Sequence, residues 1–580
     1  MPDGAHTLNV ALQPWDAERI DVGPVLALDP DAWSACRAKG LETIGPGDLH
    51  GYRREQSACA SSLLEAFHAC SDGGADRLHP LKVVFYRHVR WIHRVASVAA
   101  AVSCAVRDRD MQAIITLGPS SGHAMDRPAN DARMPVLIGA AAAGACHGGA
   151  SHESRGCESA RPEPRPQTPI QTLSSVPKVG PLGDHVLVIA DGPDLARLLP
   201  LREQIEDAAG ASVVYVSHEH SPEPPVFSVQ SYAGPASGDG RDEPAARRAF
   251  LDQSVCAGGL AQKVAHCPEF SSHLEFVFED YARSISKNVA RWETSLRSRA
   301  PKAVIGSYHS VGLEVAGHLG IPSLMLPHGP MLLGADEYTR SVGRGVVVGA
   351  VGAAHARRSR DVLGPEHPIV ETGVVGESDR MPIDTTAGRP PRLLIPTSET
   401  TRPAHLGEPP VSLFDQEAAA IGQLVEGLAA RGWLITIRNH PRYDRGEAFY
   451  REATRGAPAK AVTVTSAADS SLEDALRRSD AVAFTSSPSS AMLEIARTGV
   501  PMLLITQSWA HRALEQWGLT ELPQEPTSER AIERLAPLAE TGGFSSSVRR
   551  SLDAGAASAG LLADRPTERT MEAIRSATRG

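Results

Sequence analysis

The sequence predicts an α/β protein made of two doubly wound domains that face each other across a cleft, with an additional N-terminal region ahead of them. Three observations carry that prediction. From residue 185 onward, short apolar runs alternate with helical periodicity, a pattern that calls for parallel strands with helices on both faces. A Pro/Gly/Arg hinge, Thr386 to Arg392, interrupts the alternation once, after which it starts again. Both halves also carry the same local phrase: Glu314-Val-Ala followed by Gly320-Ile-Pro322, and Glu494-Ile-Ala followed by Gly499-Val-Pro501. Each copy describes a helix bearing a carboxylate, a glycine just past its end and a proline entering a buried strand.

The elements justify this in order. Residues 1–145 form a mixed region, with helical patterns at Ala58 to Cys70 and Val89 to Ala105 and two apolar runs, Gln112 to Leu117 and Pro135 to Ala141, that read as strands. Residues 146–184 run through Gly, Ser, Pro and Arg with almost no periodic apolar residues, and read as a linker or disordered insertion. The first α/β domain, 185–385, opens with strand His185 to Ala190, helix Leu195 to Ala209 and strand Ser212 to Val216. A long helical stretch, Ala245 to Arg299, leads to strands at Ala303 to Gly306, Ser323 to Leu326, Val346 to Gly349 and Ile369 to Thr372. The second domain, 386–545, repeats the pattern with strands Leu393 to Pro396, Leu434 to Arg438, Val462 to Thr465, Ala481 to Thr485 and Met502 to Thr506. Helices Leu413 to Arg431, Ser471 to Arg478 and Ala491 to Thr498 fill the gaps, and residues 546–580 read as a helical tail.

Composition bounds the function. A chain of 580 residues with 42% hydrophobic and 22% charged residues is globular and too long for one core. Its net charge of −10 argues against a nucleic-acid binder. The longest apolar stretches, Val95 to Val106 and Met134 to Cys146, fall short of the ~20 residues a membrane span needs. The amino terminus lacks a basic region followed by an apolar core, so a cytoplasmic protein is expected. Eight scattered cysteines without a CxxC read as reduced structural thiols, and the Cys146, His147, His152 and Cys157 group sits in a segment with no framework for a zinc site.

In parallel α/β sheets, ligands gather at the carboxyl ends of the strands. The clearest chemistry there is Arg438-Asn-His440-Pro441-Arg442. Pro441 stops the strand and leaves His440 at its edge as a hydrogen-bond donor, with Arg438 and Arg442 suited to phosphate or carboxylate. Alone, His440 would merely cap a strand. The next motif, Thr485-Ser486-Ser487-Pro488-Ser489-Ser490, precedes a helix, where hydroxyls and unsatisfied backbone N–H groups together suit an anion. One of these serines caps the helix; capping does not account for all four. Glu494, one turn further, is placed to hold ribose hydroxyls or to brace the loop. In the first domain, His328-Gly329 ends a buried strand and offers a candidate general base. Thr397 and Ser398 follow the first strand of the second domain and add hydroxyls.

Other signals fall away. Asp108-Arg109-Asp110 stands alone as a solvated turn, Gly118 to His123 reads as an ordinary turn, and no GxGxxG, Walker loop or HExxH is present. Arg340, Arg344, Arg357, Arg358 and Arg360 form a basic stretch that suits an anionic acceptor, membrane headgroups or plain solvent.

Taken in order, His328-Gly329, His440-Pro441, Ser486-Ser487 with Ser489-Ser490, Glu494 and Gly499-Val-Pro501 resemble the GT-B glycosyltransferases of bacterial surface-polysaccharide synthesis. That group includes the capsule Kdo transferases, the polysialyltransferases with their HP and Ser-rich motifs, and the CDP-glycerol glycerophosphotransferases. The likeness spans residues 300 to 510; the acidic sialyltransferase-type motif is not evident in the first domain, which argues against a sialic acid donor. The resemblance implies two Rossmann-like domains, 185–385 on the acceptor side and 386–545 on the donor side. Arg438, His440, Pro441, Ser486, Ser487, Ser489, Ser490, Glu494, Thr397 and Ser398 would hold a nucleotide-activated sugar, CMP- or CDP-linked, with no cofactor and no metal. His328 would take the acceptor proton, and Gly329, His309 and Glu314 would line the acceptor side. The acceptor would be a polysaccharide or lipid-linked glycan, reached from the cytoplasm with a peripheral contact at the inner membrane face. The alternatives are a sugar-nucleotide 2-epimerase and a non-catalytic nucleotide-sugar-binding assembly protein.

Overall fold

The computed structural model describes residues 7–11, 14–52, 54–55, 98, 100–118, 151–156, 184–217, 226–233, 287–307, 310–327, 342–374, 389–397, 414–439, 447–466, 469–485, 490–506, 522–537, 551–552, 563 and 565–579. These residues build three separate sheets in which every strand pairing is parallel.

The N-terminal sheet contains β1 (Thr7–Ala11), β2 (Val25–Ala27), β3 (Thr43–Ile44), β4 (Ala113–Gly118) and β5 (Ser151–Gly156), in the order β3-β2-β1-β4-β5. Helix α1 (Pro30–Ala38) starts where Asp29 accepts from the backbone N–H of Asp31 (2.9 Å) and of Ala32 (3.2 Å), with Pro30 at the first helical position. The region that sequence reading leaves as mixed is therefore a doubly wound sheet of its own. Within residues 146–184, read as a linker, Ser151–Gly156 pairs with β4 along its whole length, from Ala113↔Ser151 to Gly118↔Gly156, while 146–150 and 157–183 lie outside the described residues. Its sequence, Ser-His-Glu-Ser-Arg-Gly, has no apolar side chain, so the backbone ladder of an edge strand holds it and hydropathy does not reveal it. The candidate helix at 58–70 and strand at 135–141 lie outside the described residues.

The middle sheet runs β6 (His185–Ile189), α2 (Gly192–Leu198), α3 (Arg202–Ala209), β7 (Ser212–Ser217), β8 (Val226–Ser228), β9 (Ala303–Gly306), α4 (Val311–His318), β10 (Ser323–Met325), β11 (Val346–Ala350), α5 (Ala353–Leu363) and β12 (Ile369–Glu371). The single helix expected over Leu195 to Ala209 is two helices joined by a 3₁₀ turn at Leu199–Leu201, because Pro200 supplies no N–H to the ladder.

The C-terminal sheet contains β13 (Arg392–Pro396), α6 (Phe414–Ala429), β14 (Leu434–Arg438), α7 (Glu447–Ala453), β15 (Val462–Thr465), α8 (Leu472–Arg477), β16 (Ala481–Phe484), α9 (Ser490–Thr498), β17 (Met502–Ile505), β18 (Gln524–Glu525) and α10 (Ser528–Leu535). The last helix is α11 (Pro566–Arg579).

Numbered within each sheet, the C-terminal strands lie in the order 3-2-1-4-5-6, and the middle strands follow the same order with a seventh added at the end. Both are Rossmann-like domains. The repeated phrase falls at equivalent places: α4 and α9 each connect the fourth strand of their sheet to the fifth. Gly320 (φ +74°) and Gly499 (φ +75°) supply the left-handed turn after each helix.

Alternation divides each sheet into two buried faces. In the C-terminal domain Leu393, Ile395, Ile435, Ile437, Ala481 and Ala483 pack against α6, α7 and α10, while Leu394, Val482 and Phe484 pack against α8 and α9. Trp33 of α1 belongs to the first of these cores, edge-on to Phe414 and tilted against Phe449, which joins the N-terminal domain to the C-terminal one. In the reverse direction, α11 puts Met571 and Ile574 into the core of the middle domain. Among the described residues, no helix is long and apolar enough to cross a membrane.

Candidate functional site at the strand ends of the C-terminal sheet

In a 3-2-1-4 strand order the chain leaves strands 1 and 4 in opposite directions, which opens a crevice between their carboxyl ends. In the C-terminal sheet that point lies between β13 and β16, which pair at Leu393↔Ala481 and Leu394↔Val482. The residues just past the strands are Thr397, Asn439 and Thr485, with Arg438 and Thr465 as the last residues of β14 and β15.

The ladder fixes their backbones. Thr397 N–H donates to the Arg438 carbonyl (2.9 Å), as does its hydroxyl (3.2 Å), and Asn439 N–H donates to the Thr465 carbonyl (2.9 Å). Alternation then places Thr397, Asn439 and Thr485 in phase with Ile395, Ile437 and Ala483, and Arg438 and Thr465 on the opposite face. The Arg438 guanidinium is buried and donates through Nη2 to the Ser470 carbonyl (3.0 Å). Burial holds it below its usual arginine value, although it stays charged. Its Nε and the hydroxyls of Thr465 and Thr485 are buried with no partner among the described residues. Thr485 is 2% exposed, and leaving such a hydroxyl unpaired costs about 1–3 kcal/mol. Sequence reading missed Thr485 and Thr465 as individual groups; their only signal is a polar residue where a buried strand stops.

Of the residues expected in the site, the rim brings Thr397 and Arg438 onto adjacent strands. Ser490 opens α9 and Glu494 lies within it, directly after the fourth strand. Glu314 is on α4 of the middle domain, buried, where both carboxylate oxygens accept from Gly343 N–H (3.2 Å each). His309, His328, Gly329, Ser398, His440, Pro441, Ser486, Ser487 and Ser489 lie outside the described residues. The turn at Asp108 to Asp110 is tied locally, with Asp108 accepting from His50 N–H (2.8 Å) and Arg109 paired with Glu42 (3.1 Å). Among the described residues, no group of three metal-ligating side chains converges.

No protein-family model and no curated protein matches the chain. Solved structures do match in outline. UDP-GlcNAc 2-epimerase from Neisseria meningitidis, bound to UDP-GlcNAc, is 8% identical, with 68% of this chain and 100% of that chain covered and a TM-score of 0.39. Arabidopsis thaliana UGT89C1, complexed with quercetin, gives 14% identity, 68% and 99% coverage and a TM-score of 0.39. The Streptomyces sp. glycosyltransferase SsfS6, complexed with thymidine diphosphate, gives 17%, 69% and 100%, and 0.33. Likenesses this distant assign neither activity nor ligand to the chain.

Proposed function

We propose that the chain is a GT-B glycosyltransferase that moves a sugar from a nucleotide-activated donor to a hydroxyl of a surface-polysaccharide or glycolipid acceptor. The observation that supports this best is the rim of the C-terminal sheet, where the Arg438 Nε and Thr465 hydroxyl on one face and the Thr485 hydroxyl on the other are buried with no partner among the described residues. A cation with hydroxyl donors at strand ends suits an anion, and the sequence continues from Thr485 into Ser486-Ser487-Pro488-Ser489 and the start of α9. In this reading Arg438, His440 and the Ser486 to Ser490 loop hold the donor phosphate. They stabilise the charge that builds on it as the glycosidic C–O bond breaks, without a metal ion. His328 takes the proton of the acceptor hydroxyl, whose oxygen forms the new bond to the sugar. A peripheral membrane contact through the basic stretch at 340–360 belongs to the same proposal.

The test is thermal stabilisation of the purified chain by CMP-, CDP-, UDP- and GDP-sugars, repeated with Thr485→Val. At least one donor should stabilise the native chain, and the variant, with an apolar isostere, should melt no lower in the absence of ligand yet bind that donor about tenfold more weakly, about 1.4 kcal/mol. No stabilisation by any donor would sink the proposal. Recovery of an epimerised nucleotide sugar, with no glycoside formed, would move it to the 2-epimerase alternative.

A further inference from the structure

Helix α11 buries one face in the middle domain and exposes another. Thr570, Met571 and Ile574 are buried, while Glu568, Glu572, Arg575 and Arg579 are exposed. At 3.6 residues per turn their 4-3-4 spacing lays these four side chains in one stripe about 16 Å long, turned away from the buried residues. Arg565 pairs with Glu568 at 3.3 Å, but at 76% and 71% exposure that pair is worth little. Glu572, Arg575 and Arg579 make no side-chain ion pair among the described residues. The stripe borders a cleft of about 910 Å³ between α11 and α3, whose other wall carries Gln204 and Asp207.

Along the helix the stripe runs acidic, acidic, basic, basic, an order complementary to itself when turned end to end. In an antiparallel pair of α11 helices centred between Ala573 and Ile574, Glu568 meets Arg579 and Glu572 meets Arg575, each pair occurring twice across the two-fold axis. Other arrangements are repulsive. A parallel pair sets each charge against its own copy. Sliding the antiparallel pair by seven residues sets Glu568 against Glu572 and Arg565 against Arg575. The pattern therefore selects one orientation and one register, as charges along a helix seam do in coiled coils.

We propose that α11 is a docking surface for a second copy of this chain, packed antiparallel across a two-fold axis, with the second copy's arginine stems lying in the cleft between α3 and α11. Asp207 on the cleft wall accepts from an incoming guanidinium. Because exposed ion pairs make up most of the contact, the association is weak and falls with salt. It stands independently of the glycosyl-transfer reading.

Analytical ultracentrifugation of the full chain tests this. The native chain should form a concentration-dependent dimer at about 20 mM NaCl that weakens tenfold or more by about 500 mM. Glu568→Arg with Glu572→Arg makes the stripe wholly basic, and Arg575→Glu with Arg579→Glu makes it wholly acidic. Each double variant should be monomeric alone, and an equimolar mixture of the two should form a heterodimer. Four like charges on one stripe can fray the helix, so Glu572→Gln with Arg575→Gln supplies a variant without new repulsion. It should melt like the native chain at low protein concentration and dimerise about tenfold more weakly. Three results would overturn the proposal: the native chain stays monomeric throughout; the Gln variant dimerises as tightly as the native chain; or the two charge-reversed variants, melting like the native chain, fail to associate when mixed.

Discussion

Replacing Asp415 with Asn isolates one charge at the contact between the N-terminal and C-terminal domains. Asp415 sits in the first turn of α6 and accepts from Gly47 N–H through both oxygens (3.1 and 2.9 Å), while Gln416 Nε2 donates to the Gly47 carbonyl (3.2 Å). The fit is close: a Cβ on Gly47 would lie 2.5 Å from Gln416 Cγ, and one on Gly45 would lie 2.4 Å from the Asp415 carboxyl carbon. Burial, reinforced by the nearby Asp48 carboxylate, pushes Asp415 up to about 6 from an ordinary 3.8, against the pull of backbone N–H donors. A folded-state value above the unfolded one stabilises fully below pH 3.8 and is lost as pH rises through 6, an amplitude of about 3 kcal/mol. At neutral pH the native chain therefore carries a buried, repelled charge that the Asn variant lacks. The assay is urea unfolding of both proteins from pH 7.5 to 4.5, reported as the difference between them so that every other titration cancels. The native chain should gain on the variant by about 2 kcal/mol over that range. Parallel curves, or a variant that gains as pH falls, would refute the buried-carboxyl account.

Other consequences follow from single residues. His355 is fully buried and accepts from Val351 N–H through Nδ1 (3.0 Å), and burial lowers its pKa to about 4. Its contribution is present above pH 6.5 and lost as pH falls toward 4, about 3 kcal/mol, so His355→Leu should flatten that limb of the thermal-melting profile. Glu314→Gln should cost about 1–3 kcal/mol in chemical unfolding by weakening the anchor on Gly343, with nucleotide-sugar affinity unchanged.

The strands around the candidate site were legible from their residue types, although only β13 and most of β14 are buried and the edge strand β15 is partly exposed. Leu393 to Pro396, Leu434 to Arg438 and Val462 to Thr465 read as unbroken β-branched and leucine runs, and they match the observed bounds to within a residue. The repeated helix-Gly-Pro phrase was legible as well, since a left-handed glycine leaves a mark in sequence that a turn of ordinary φ does not. The N-terminal sheet was legible only at β4, where the apolar run Gln112 to Leu117 anticipates Ala113–Gly118. Its β2 is Val-Leu-Ala and its β3 is Thr-Ile, too short to show a period, and its β5 is wholly polar. Thr397 and Arg438 could be named because they end recognisable strands, but their opposite faces follow only once the phase of Ile395 and Ile437 against α6 is known.

The expected C-terminal tail also has a structural role that sequence distance conceals. Helix α11 returns to the middle domain, nearly two hundred residues back, and packs against α3 and the strands there. Met571 is 5% exposed and Ile574 1%, and the Thr570 hydroxyl donates to the Thr372 carbonyl (3.3 Å). Burying two such side chains stabilises by about 1.5–3 kcal/mol each, and the hydrogen bond adds about 1 kcal/mol. Ending the chain at Arg565 should therefore remove about 4–7 kcal/mol, comparable to the whole stability of an ordinary domain. The middle domain should unfold well before the C-terminal one in a denaturant series, and Met571→Ala with Ile574→Ala should reproduce most of the loss with the helix still present. An unchanged first transition in the truncated chain would show that α11 only rests on that surface, and that the middle core closes without it.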